Sequence, residues 1–149
     1  MSVIYDYFSA GNDEEAVKVL DVEGGPTEAG SGFDAGTLGG IDPVVQLGTL
    51  EALLTGTPYD EVTEDPRAGH NLAMSEDYDR IVITVTDALT SALAAADDAR
   101  LAEVAEPWSQ TEELEGADPA DLAAFARDLA ALARRAGASG HRLYCWARI

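Results

Sequence analysis

DPADLAAFARDLAALARRAGASGHRLYCWARI, residues 118–149, changes its hydrophobic period partway along. Leu122, Phe125, Leu129, Leu132 and Ala136 recur at spacings of three and four, the mark of a helix with one apolar face. Asp118-Pro119 opens it. Aspartate accepts from the first free backbone N–H groups, and proline at the first helical position lacks only a bond that would go unmade. Arg127, Asp128, Arg134 and Arg135 lie away from the stripe, and Gly137 and Gly140 are expected to stop the helix. From His141 to Ile149 the period becomes two, with Leu143, Cys145 and Ala147 on one face and Tyr144, Trp146 and Arg148 on the other. A long amphipathic helix running into an alternating strand predicts helices packed on a sheet.

The rest of the chain extends that frame. Ser2 to Phe8 is rich in β-formers and reads as a strand. Asn12, with Glu15 three residues on, forms a capping box for a helix running to about Asp21. Seven glycines between positions 24 and 40 mark a flexible loop. Asp42-Pro43 opens a second helix carrying Val44, Val45, Leu47, Leu50, Leu53 and Leu54, with Gly56 placed for a left-handed cap. Thr57 to Gly69 is an acidic loop. Asn71–Met74 and Arg80–Thr86 read as a hairpin, with Ser75 to Asp79 as its turn. Helices follow from Asp87 and from Asp97-Asp98, the latter expected to end at Pro107. The order is β-α-α-β-β-α-α-α-β: a single-domain α+β fold with a mixed or antiparallel sheet of about four strands, the first and last as neighbours.

The chain carries 28 Asp and Glu against nine Lys and Arg, a formal net charge of −19 over 149 residues. Residues 1–66 hold 14 of the acids and one base, Lys18, while residues 67–149 hold the other 14 and eight arginines. Such a surface repels phosphate backbones and anionic bilayers, so neither nucleic acid nor membrane is an expected partner. Hydrophobic residues reach 46%, enough for a packed core rather than a disordered acidic chain. The near absence of lysine also fits a compositional origin for part of the acidity. One cysteine, Cys145, and no basic-then-apolar leader point to a reducing, cytoplasmic setting.

Catalytic motifs are absent from the pattern. His70 and His141 stand far apart and no cysteine cluster exists, so no metal site is expected. Asp77 and Asp79 lack the glycine and closing glutamate of a calcium loop. The glycines at 24–40 match neither phosphate-binding fingerprint, and no cofactor is expected. Cys145 sits on the apolar side of its strand and reads as core. Two segments stand out. Tyr59, Asp60, Arg67 and His70 share one loop after a helix. Trp108, Gln110 and Glu112 place an indole beside polar groups at a helix end. Each has a plainer reading, as a solvated connection and a core tryptophan respectively.

The layout resembles the YfbM-like family of small bacterial proteins of unknown function. The likeness rests on an N-terminal strand, a helix ending in Leu53-Leu54-Thr55-Gly56, the acidic loop after it, and a long last helix followed by an apolar strand. The glycine-rich segment and the high alanine content depart from it. The resemblance implies an α/β-type fold and assigns no catalytic residue. Function therefore reads as a binding or regulatory module, in its sharpest form an acidic immunity-type inhibitor of a basic protein. The alternative is a small hydrolase with a site near Tyr59–His70 and Trp108–Glu112. The pattern sets no oligomeric state.

Overall fold

The C-terminal strand is the axis of the molecule. The computed structural model describes residues 3–149, so Ser2 of the expected first strand lies outside the described residues. Five antiparallel strands run in the order β2-β1-β5-β4-β3. They are β1 (Ile4–Ala10), β2 (Asp34–Ala35), β3 (Asn71–Met74), β4 (Arg80–Thr84) and β5 (Arg142–Arg148). β5 pairs with β1 from Ile4 opposite Arg148 to Ala10 opposite Arg142, and with β4 from Arg80 opposite Arg148 to Thr84 opposite Tyr144. β3 and β4 form the expected hairpin.

Six helices complete the fold: α1 (Asp13–Val17), α2 (Val45–Thr55), α3 (Tyr59–Val62), α4 (Asp87–Ala95), α5 (Asp98–Ser109) and α6 (Pro119–Ala138). Four of them start on side-chain caps, while α2 begins at Val45, two residues past the expected Asp42-Pro43 opening, with no side-chain cap at Val44. Asn12, Thr86, Asp97 and Asp118 each accept a hydrogen bond from a backbone N–H of the first turn. Gly56 closes α2 at φ +74°. Gly137 stays inside α6, and Gly140, at φ +69°, makes the turn into β5. Pro107 does not end α5, which continues through Ser109. The proline removes only one N–H near the end of the helix. Trp108 then holds the last turn, its ring fully buried and its N–H donating to the Gln46 carbonyl at 2.9 Å.

Both faces of β5 are dry. Leu143, Cys145 and Ala147 join the main core beneath α2, α4, α5 and α6. Tyr144 and Trp146 are equally buried on the other side, in a second cluster with Phe8, Ala10, Ala16, Val19 and Val82. Aromatic contacts order this cluster: Phe8 lies 5.6 Å from Tyr144 and 5.3 Å from Phe33, centroid to centroid.

The glycine-rich segment provides the cover on that side, and it is pinned rather than loose. Its residues Asp34–Ala35 form β2 against β1. Asp128 on α6 accepts from the backbone N–H groups of Thr37 and Leu38 at 2.9 and 3.0 Å. Arg135 on α6 grips Asp34 at 2.8 Å. Gly25, at φ +80°, runs so close to Trp146 that a Cβ there would sit 2.8 Å from the indole ring. Gly25→Ala is therefore expected to destabilise the protein by roughly 1–3 kcal/mol, through left-handed strain and displacement of the ring. Chemical denaturation monitored by Trp fluorescence measures it; an unchanged midpoint would mean that this segment does not seat on Trp146.

Candidate functional site

Along α2, Leu47, Gly48 and Glu51 share one helical stripe with Val44 just before it. A glutamate thus occupies a position where the pattern calls for an apolar side chain. The stripe forms one wall of a cavity of about 230 Å³. Val62, Thr63, Ala68 and Gly69, from α3 and the chain after it, form the second wall. Val85, Thr86 and Leu89, at the entry to α4, form the third.

Each wall has a local reason to stand where it does. The Tyr59 ring packs on Gly48, where a Cβ would come within 3.0 Å of it, so α3 lies tight on α2. Gly69 adopts φ +62° against Val44, where a Cβ would meet the Val44 side chain at 2.8 Å. The carboxylate of Asp65 accepts from the Arg67 backbone N–H at 2.9 Å and turns the chain. Thr84 Oγ1 donates to the Arg67 carbonyl at 2.8 Å and ties that turn to β4.

Glu51 is 5% exposed. Thr86 donates its hydroxyl to Oε1 of Glu51 and accepts the Leu89 N–H at 3.1 Å as cap of α4. Oε2 accepts no hydrogen bond among the described residues, and Glu51 takes part in none of the six ion pairs found there. Burial is the main cause that pushes its carboxyl above the ordinary value. The Thr86 hydrogen bond opposes that shift, and the charge of Asp65 adds to it.

The seven residues singled out by sequence surround this region or lie apart from it, and none lines the cavity. Tyr59 is half-buried, its phenol raised by burial and then by Glu113, Asp42 and Asp60. Asp60 is exposed, and its carbonyl accepts from Thr63 Oγ1 at 2.9 Å. His70 is exposed, and its carbonyl accepts from the Thr84 N–H at 2.9 Å. Arg67 turns away toward α1: its Nη1 meets Asp13 at 3.1 Å, and Tyr144 donates to the same carboxylate at 2.7 Å. Those bonds, Tyr144 first, hold Asp13 below the usual carboxylate range, while burial and Asp13 push Tyr144 up to about 12. Trp108 is closed in the main core, bonded to α2. Gln110 and Glu112 are exposed on the turn after it. Sequence reasoning thus found the segment that walls the cavity and missed Glu51, whose signal was a carboxylate on the stripe of Leu47, Leu50 and Leu54.

Among the described residues no group of three or more His, Cys, Asp or Glu side chains is placed to hold a metal ion, and no helix is long and apolar enough to cross a membrane. Burial pushes the Cys145 thiol well up and keeps it protonated. Comparison with family models, with curated proteins and with solved structures gives no match.

The raised carboxyl of Glu51 has a stability consequence. Its folded form holds a proton more tightly than the unfolded chain does. The associated stability is complete below the unfolded value and is lost as pH rises through the folded one. Glu51→Gln keeps an acceptor for Thr86 and carries no charge. It is expected to stabilise the protein at neutral pH by on the order of 1 kcal/mol, with the gain shrinking as pH falls through the raised folded value and gone below about pH 4. Thermal melts of both proteins across that range measure it; a Gln variant less stable than wild type at neutral pH contradicts the account.

Proposed function

We propose that the protein is a binding module for a basic partner protein, as an immunity-type inhibitor would be, working in a reducing, cytoplasmic setting. One observation carries the reading. Of the 28 acids, only Asp13, Glu15, Asp34, Asp79, Asp87 and Glu103 meet a base among the described residues. The remaining acids meet no base among the described residues and are mostly exposed. Part of it gathers where Asp42, Asp60 and Glu113 all act on Tyr59, a position to which Gln46 fastens the Glu113 carbonyl at 3.0 Å. A surface of one sign steers an oppositely charged protein and raises its association rate.

The hydrolase alternative finds less support. Its two halves do not share a cavity wall, because Trp108 is enclosed in the core while His70 is exposed. The two hydroxyl side chains of the Glu51 cavity are already committed, Thr86 to the Glu51 carboxylate and its cap and Thr63 to the Asp60 carbonyl. The resemblance to the YfbM-like family assigns no residue roles and bears on neither reading.

The test is capture of partners from the source cells by the immobilised chain at low salt and at about 0.5 M salt, followed by stopped-flow kinetics on the retained protein. The partner is expected to be basic, with an on-rate at least about tenfold slower at high salt. Reversing charge at Asp60 and Glu113 is expected to slow it further. Retention of non-basic proteins only, with salt-independent rates, would sink the reading.

A further inference from the structure

We propose that the Glu51 cavity binds a primary ammonium group on a short unbranched aliphatic stem, the chemistry shared by a lysine side chain of a basic partner and by a free alkylamine. The inference deepens the binding reading above and rests on it for the sign of the partner's charge.

Four features of the site select this chemistry. Among the described residues Glu51 is a buried carboxylate with no counter-ion, and its free oxygen, Oε2, has no hydrogen-bond partner. An anionic guest would meet that charge and the nearby Asp65. A neutral apolar guest would leave Oε2 desolvated and unbonded, which is costly. A cation supplies the missing partner.

The walls decide what carries the cation. Pro43, Leu47, Val62, Val85 and Leu89 present carbon surface that suits methylene groups. At about 230 Å³ the space is smaller than the ~300–1,000 Å³ of sites that enclose drug-sized molecules, so the stem is short.

The hydrogen bonding decides which cation. A guanidinium binds a carboxylate best through both oxygens at once. Thr86 already takes one lone pair of Oε1, so a bidentate guanidinium would have to share that oxygen with Thr86, while Oε2 is wholly open to the guest. An ammonium is a point charge that needs only one, so lysine-type ligands are favoured over arginine-type ones.

The site is also held open before any guest arrives. Gly69 against Val44, Tyr59 against Gly48 and the Arg67 to Asp13 ion pair fix the outer wall in place. Less ordering is then needed on binding.

The experiment titrates the full chain, with methyl groups of Leu and Val labelled, using n-butylamine, n-butanol, n-butylguanidine and Nα-acetyl-lysine methylamide at neutral pH. Saturable shifts of the Leu47, Val62, Val85 and Leu89 methyls with butylamine are expected. Butanol and butylguanidine are expected to bind at least about tenfold more weakly. Glu51→Gln should reduce butylamine affinity at least about tenfold while melting no lower than wild type, which separates loss of the site from loss of the fold. Binding of the lysine derivative as well as butylamine assigns the site to a partner's side chain. Binding of butylamine alone assigns it to a free amine. No saturable shift at these methyls, or equal affinity in Glu51→Gln, overturns the proposal. If salt-sensitive capture of a basic protein by the wild-type chain persists all the same, the binding reading stands without this site; if that is absent too, both fall.

Discussion

The structure depends on β5 being enclosed on all four sides. β1 and β4 bond its two edges, while the helical layer and the α1 side cover its two faces. A strand so placed must be apolar at every inner position, and Leu143 to Ala147 is. It also joins the last strand of the chain to the first. Both cores include β5, so completing either one requires the two ends of the chain to meet, and contacts of such long sequence separation slow folding more than they weaken the product.

Much of this was legible because it was local. The change of period from α6 to β5 is written into a single run of 32 residues, and caps such as Asn12, Asp118 and Gly56 need only their own neighbours. What escaped was set by distant contacts. Trp146 alternates onto the face opposite Leu143, Cys145 and Ala147, and nothing local covers it; it is dry because Phe8, Val19 and the segment around Gly25 reach it from elsewhere in the chain. That segment looks flexible by its glycines and is ordered by Asp128 and Arg135, about a hundred positions away. Pro107 looks like a stop and is carried by the burial of Trp108. In each case tertiary packing overrode a correct local rule.

The cavity was hidden for a different reason. In a chain with 28 acids Glu51 does not stand out by type; Asp60, Gln110 and Glu112 stand out only beside the rarer Tyr59, Arg67, His70 and Trp108. Those residues turned out to brace the region. Tyr59 seats α3 on α2, Arg67 ties the loop to α1, and Trp108 fixes α2 from behind. Rarity of a side chain pointed to the segment, whereas position on a helical stripe marks the buried carboxylate.

Surface acids and Glu51 differ physically despite sharing a charge. An exposed carboxylate is screened beyond a Debye length of about 8 Å at physiological salt, so its effect lies in the approach of a partner. A carboxylate that is 5% exposed is screened little, and its interactions act after contact, on how long a complex lasts. In a binding module the two would divide the work: the unpaired surface charge would set the rate of encounter with anything basic, and the shape and single free oxygen of the Glu51 cavity would choose among the cations that arrive. The composition of the chain alone can account for the first property. It cannot account for the second, because a bias toward acids does not place one on the apolar stripe of a central helix, cap it with a threonine and leave its other oxygen bare.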